Sequence, residues 1–278
     1  MVDNMSKSVM KQVIDHFSES PLSQWRIDHK KLWLEYLETG KLPFTFNELH
    51  TTIQEIVNQP ENRPQGEKLL SLHKKNNFTL KEDKTPYRPE EALERFIVVS
   101  NEDNFFNQVP VGGGKESIDI VVRNSNDSVE FIELKPWNSA DSPLYALIEE
   151  LKNLIEYRVI VEKQIKAIDN PWKVDISLLA PKEYYQNFFL IDKSNNTIAR
   201  NISRTTDLVN DLSLEFNTNI AIFFLALTDD TFKQACSQIY DHQGLTGQQI
   251  ANVKEDDAIS TLNRANWAEL ASSKKAQA

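Results

Sequence analysis

The chemistry this chain can do is concentrated in the stretch 117–137, S-I-D-I-V-V-R-N-S-N-D-S-V-E-F-I-E-L-K-P-W. Two apolar runs, 118–122 and 129–134, flank a polar N-S-N-D-S turn, the pattern of a β-hairpin. Asp119 interrupts the first run, and Glu133 and Lys135 close the second. Strand side chains alternate, so Glu133 and Lys135 share one face and Leu134 takes the other. Charges in apolar strands are costly unless paired or bound to a metal. Neighbouring strands that carry two carboxylates and an ammonium can bring them to one point, which is what a divalent-metal hydrolytic site requires.

The elements around this hairpin read as follows. Residues 1–80 are mainly helical, with Val9, Val13, Ile14 and Phe17 at helical spacing, as are Leu32, Trp33, Tyr36 and Leu37, then Leu49, Ile53, Ile56 and Val57. Residues 68–73 read as one more short helix, and 81–90 as a linker with Pro89 at a helix start. The helix over 90–99 buries Leu93, Phe96 and Ile97 and flanks that stripe with Glu90 and Glu94. Residues 105–111 form a short edge strand, and the glycines at 112–114 with Lys115 form a flexible hairpin that lacks the spacing of a phosphate-binding loop. A long amphipathic helix over 144–168, a buried strand over 174–180, a short aromatic helix over 184–189, a helix over 202–216 and a strand over 220–227 complete the core. Residues 229–278 read as short helices and a frayed tail. The division expected is a helical N-terminal region over 1–85, an α/β core over 86–230 and a C-terminal extension over 231–278, the core being a mixed sheet flanked by helices.

Composition narrows the function. Of 278 residues, 40% are hydrophobic and 26% charged, the balance of a globular domain. No apolar run approaches a membrane span and no signal-peptide region opens the chain, so a cytoplasmic protein without a membrane partner is expected. One cysteine, Cys236, rules out an intrachain disulfide framework or thiolate zinc cluster. The five histidines lack metal-ligand spacing. Trp137 and the aromatics at 184, 185, 188 and 189 read as core more readily than as stacking platforms. The net charge of −10 counts against a protein that coats nucleic acid, though an enzyme can gather cations in one cleft. Candidates for such a cleft are Arg88, Arg95, Lys115, Arg123, Lys152 and Arg158, with Arg26, Lys30 and Lys31 on the helical arm.

Taken in order, Glu90 on a helix, Asp119 in S-I-D-I-V, Glu133 and Lys135 in F-I-E-L-K, and then a long helix resemble the PD-(D/E)XK, or restriction-endonuclease-like, nuclease superfamily over residues 89–179. There a helix precedes a β-meander whose second strand carries the first acid and whose third carries the (D/E)xK element. Ile118 replaces the proline of that pattern. The later helix reads I-E-E-L-K, without the glutamine found in many members. The resemblance implies an Mg²⁺- or Mn²⁺-dependent nuclease that acts on nucleic acid, DNA first, in defence, restriction or repair. Asp119, Glu133 and the backbone carbonyl of Leu134 would hold the ion, and Glu90 would hold it through water. Lys135 would orient the attacking water. Glu94, Glu150 and Lys115 are weaker candidates. A homodimer is expected if both strands of a duplex are cut. Two alternatives stand beside it: a non-catalytic nucleic-acid- or protein-binding module on the same fold, and a different α/β protein whose helical arm mediates oligomerisation.

Overall fold

The computed structural model describes residues 12–13, 25–62, 70–75, 77–101, 103–111, 117–164, 172–189, 195–243, 248–249 and 261–273. Residues 12–13 are helical, and α1 (Trp25–Thr39) and α2 (Phe46–Asn58) follow. The second opens on a capping box, in which Thr45 accepts from the Glu48 N–H while Glu48 accepts from Thr45. After a short β1 (Asn77–Phe78), α3 (Pro89–Ser100) starts with proline at its first turn. Then follow β2 (Phe105–Pro110), β3 (Ser117–Arg123), β4 (Ser128–Leu134), α4 (Pro143–Gln164), β5 (Lys173–Pro181), α5 (Lys182–Phe189), α6 (Asn195–Phe216), β6 (Ile220–Leu225), α7 (Asp229–Gln243), β7 (Gln248–Gln249) and β8 (Ala268–Ser272).

Six strands form one mixed sheet in the order β2-β3-β4-β5-β6-β8. The β2-β3-β4 meander is antiparallel, β4, β5 and β6 are parallel, and β8 returns antiparallel. Both faces are covered. Phe131, Ile176, Leu178 and Ile222 pack against α4, α6 and the two N-terminal helices, through Leu147, Leu151, Leu212, Trp33 and Ile53. Ile120, Ile132, Leu134 and Leu225 pack against α3 and α7, through Leu93, Phe96, Phe232 and Cys236. The strands between β3 and β6 are therefore near-continuous apolar runs. The helices of the first 60 residues share one apolar cluster with the sheet, so their burial and the sheet's are the same burial.

Three expectations are corrected. Residues 70–73 are not helical: Leu70 donates to the Pro110 carbonyl and Asn107 to that of His73, so this segment runs along the outer edge of β2 and covers it. The helix expected over 202–216 begins seven residues earlier, at Asn195. The C-terminal region contributes the sixth strand, β8, whose pairing with β6 is joined by a contact of Arg264 with Glu130 on β4. The first N-terminal helix expected, apart from residues 12–13, lies outside the described residues, as do Lys115, the glycines beside it and the end of the long helix. Trp137 is core: its ring packs 5.0 Å from that of Phe232, and its N–H donates to the Leu227 carbonyl.

Candidate active site

The acidic residues meet where the C-terminal end of β4 and the N-terminal end of β3 come together. The β3–β4 ladder runs to the pair Ile120–Ile132, and just past its end Asp119 and Glu133 lie close enough that the charge of Asp119 acts on Glu133. Asp119 Oδ2 accepts the backbone N–H of Leu134 at 3.0 Å, which ties it to the strand that carries Glu133.

Asp119 reaches this place through a kink shared by two strands. On β2, Phe105 belongs to the α3 side of the sheet but Val109 to the α4 side; on β3, Ile120 belongs to the α3 side but Ile118 to the α4 side. Period-two alternation would keep each pair on one face. The switch falls at Gln108 and Asp119, between the pairs Asn107–Ile120 and Val109–Ile118. Gln108 has φ +53°, a left-handed conformation unfavourable for a residue with a Cβ. Its side chain donates to Glu94 Oε2 at 2.6 Å and accepts from Ser117 at 3.3 Å.

The site therefore draws acids from both sides of the sheet. From α3 come Glu90 and Glu94, from β3 Asp119, from β4 Glu133, and from the first turns of α4 Glu149 and Glu150. Among the described residues, one lysine stands between them. Lys135 Nζ is 2.5 Å from Glu133 Oε1, 3.1 Å from Glu149 Oε2 and 3.6 Å from Asp141 Oδ2, and the residue is only 4% exposed. Asp141 carries the chain of contacts to the N-terminal helix: its Oδ1 is 3.7 Å from His29 Nε2. The backbone N–H of Ser142 points at His29 Nδ1 at 3.3 Å, which leaves the proton on the Nε2 that faces Asp141.

Electrostatics follow from this crowding. Burial, then Glu90 and Glu94, push Asp119 well above the usual carboxylate range. Burial, then Asp119 and Glu149, do the same to Glu133. Burial raises Glu90 as well, against the pull of Lys135. Burial takes Glu94 to about 8 although Gln108 opposes it, and Glu150 to about 7 although Asn153 opposes it. Glu149 moves the other way: burial raises it, but the charge of Lys135, its hydrogen bonds with Glu133 and Lys135 and the charge of Lys152 together outweigh that. Burial would lower Lys135, but Glu133, Glu149, Asp119 and Glu90 together outweigh that and raise it, so the ammonium persists.

The sequence-derived set of Asp119, Glu133, Lys135, Glu90 and Glu94 is thus brought together, with Glu150 behind it beside Asn153. Glu149, Asp141, Gln108 and His29 were not singled out from sequence as parts of this site. The D-S-P-L start of α4, with Ser142 capping toward the Tyr145 N–H, is the one local signal that places Asp141 at a helix start beside the E-L-K element. Two cations expected in a cleft are instead buried in ion pairs: Arg95 with Glu91 at 2.6 Å, and Lys152 with Glu156 at 3.4 Å. Arg88 is exposed beside Glu91, and Arg123 lies over the Phe106 ring.

The donor set can be weighed against a metal. Among the described residues, no group of three or more His, Cys, Asp and Glu side chains is spaced to hold an ion. The donors at hand are carboxylate oxygens, the class that Mg²⁺ and Mn²⁺ prefer, and Mg²⁺ is usually held by one or two carboxylates with waters completing its shell. The accumulated negative charge, answered in the first instance by Lys135, favours an added cation on the same grounds that raise Asp119 and Glu133. In chemistry, though not as a closed protein cage, the residues fit a hard divalent ion.

No described helix is long and apolar enough to cross a membrane. The molecule is an α/β protein with a mixed six-stranded sheet and a buried acidic cluster with one lysine at the end of its third strand. Set against protein-family models, curated proteins and solved structures, the chain matches none of them.

Proposed function

We propose that this protein is a divalent-metal-dependent nuclease of the PD-(D/E)XK type, acting on DNA. The observation that carries the reading is Asp119, bonded to the Leu134 N–H at the end of β4 and acting on Glu133, with Lys135 2.5 Å from Glu133 and Glu90 and Glu94 arriving from the preceding helix. The order helix, three-stranded meander, helix, parallel strand supports it as well, because that order is the one the resemblance implies.

Asp119, Glu133 and the Leu134 carbonyl would hold Mg²⁺ or Mn²⁺, and Glu90 would hold a coordinated water. When bound, the ion supplies positive charge to the scissile phosphate and a more acidic water. Lys135 would orient the attacking water and offset the charge that builds on phosphate oxygens. Glu149 and Asp141 keep its ammonium aimed and charged. Gln108 and the Leu134 N–H hold the acids of α3 and β3 in position. Cutting a duplex through both strands would take two copies of the chain.

The test is cleavage of plasmid and single-stranded DNA by purified protein with Mg²⁺ or Mn²⁺, and with EDTA as control. Asp119→Ala and Lys135→Ala should each abolish it; cleavage equal to wild type in both variants would end the proposal.

A second reading, a non-catalytic binding module on this framework, draws on Lys135 being held among three carboxylates and on Arg95 and Lys152 being spent in buried ion pairs. Calorimetric titration with Mn²⁺ separates the two, since the module has no need to bind the ion through Asp119.

A further inference from the structure

At the other end of the sheet lies a second concavity that the acidic site does not use. Lys173 and Val174 begin β5, whereas Leu178 of the same strand stands beside Glu133. Five residues of strand separate Lys173 from that level, roughly 16 Å. A cavity of about 530 Å³ opens here between the middle of α4, the end of α6 and the starts of β5 and β6. This size falls within the range of small-molecule sites, about 300–1,000 Å³.

Its lining has three kinds of chemistry. The first is cationic: Arg158 and Lys173 both line it, and among the described residues no carboxylate does, in a chain of net charge −10. Arg158 is half-buried and donates one hydrogen bond, to the Asn217 carbonyl at 3.0 Å. Among the described residues no carboxylate lies within ion-pairing distance of its guanidinium. Glu162, one turn along the same helix, acts on it from further away, and burial still dominates and pulls its pKa down. A desolvated guanidinium without a counter-ion is unfavourable, and an anion would relieve it. The second kind is aromatic: Trp172 stacks on Tyr157 with ring planes 6° apart, and Tyr157 anchors it by accepting its backbone N–H at 2.6 Å. The third is amide: the side chains of Asn210, Asn217 and Asn219 can both donate and accept. On the rim Leu214 is 75% exposed, one of two large hydrophobic residues left so open among those described.

We propose that this cavity binds a nucleoside monophosphate, with its base against Trp172 and Leu214 and its phosphate held by Arg158 and Lys173. Each part of the ligand answers one kind of chemistry in the lining. The phosphate meets the guanidinium, for which its geometry is suited. The base meets an aromatic face and amides that can pair with its edge. The site is independent of the nuclease reading, and it is joined to the acidic cluster by α4, which lends Glu149 and Glu150 to one and Leu154, Tyr157 and Arg158 to the other.

The experiment is calorimetric titration of the full chain with AMP, UMP, adenosine and inorganic phosphate, repeated on Arg158→Gln, Lys173→Gln and Asp119→Asn. A mononucleotide should bind at least about tenfold more tightly than adenosine or phosphate, a difference of about 1.4 kcal/mol. Arg158→Gln and Lys173→Gln should each weaken it by a similar factor, and Asp119→Asn should leave it unchanged. Lys173 is exposed at a strand start, so its variant decides the matter if Arg158→Gln folds poorly. Absence of mononucleotide binding below about 1 mM overturns the proposal. So does binding that Lys173→Gln does not alter, or binding lost in Asp119→Asn, which would assign the nucleotide to the acidic cluster.

Discussion

Gln108 donates its side-chain amide to Glu94 at 2.6 Å from a backbone held at φ +53°, and directly across the ladder from it stands Asp119. The kink that strains one strand is what turns the acid of the next toward the helix carrying Glu90 and Glu94. Strain of this kind persists only where surrounding contacts enforce it, and it gathers at functional sites. Gln108→Ala should therefore keep the strain and lose the bond, costing about 1–3 kcal/mol in urea denaturation. Gln108→Gly relieves the strain and should cost less. Equal losses in the two variants would mean that the left-handed backbone at this position carries no strain.

The raised pKa of Glu94 makes stability depend on pH. Its folded value, about 8, lies above its ordinary value of 4.5. Between these the folded protein keeps a proton that the unfolded chain has given up, so stability falls as pH rises from about 4.5 to 8 and stays low above. Glu94→Gln carries no such charge. Measured in EDTA by chemical denaturation, it should gain on wild type from pH 5 to pH 9, by an amount on the order of a few kcal/mol. Glu150, raised to about 7, acts in the same sense. A wild-type stability that is flat across this range would refute the assignment.

Asp119 should behave oppositely with and without divalent cation. In EDTA, Asp119→Asn removes a crowded charge and should raise the melting temperature. With 5–10 mM Mn²⁺, at about millimolar or tighter affinity, wild type should gain stability by mass action and the variant should not. A wild-type melting temperature insensitive to Mg²⁺ and Mn²⁺ alike would remove the metal from the mechanism.

The contacts from His29 through Asp141 to Lys135 span helices α1 and α4 and the end of β4. If Asp141 and His29 act as one unit on the lysine, their effects will not add. His29→Ala and Asp141→Asn should each slow DNA cleavage about tenfold while leaving Mn²⁺ affinity within twofold. The double variant should match the single ones. Additive losses would show that His29 acts elsewhere.

Most of the sheet and its helices were legible from residue order, and the reasons are local. The apolar runs at 118–122, 129–134, 174–180 and 220–225 declare buried strands by their β-branched content, and Leu93, Phe96 and Ile97 declare a helical face. Asp119, Glu133 and Lys135 stood out because charge in such runs demands a partner. Strand β8, A-E-L-A-S, was missed because five residues with little β propensity become a strand only when β6 offers them an edge. The segment at 70–73 was misread as helix because its partners lie on β2, more than thirty residues away.

Residue types and their order thus determined which side chains could do chemistry and that they sit on adjoining strands. Tertiary structure alone decided their company: the kink at Gln108, the three carboxylates around Lys135, the reach of His29, and the loss of Arg95 and Lys152 to pairs of their own. Periodicity is a property of neighbours along the chain, whereas the energy of a charge depends on what crosses its path from elsewhere, and no local pattern records that.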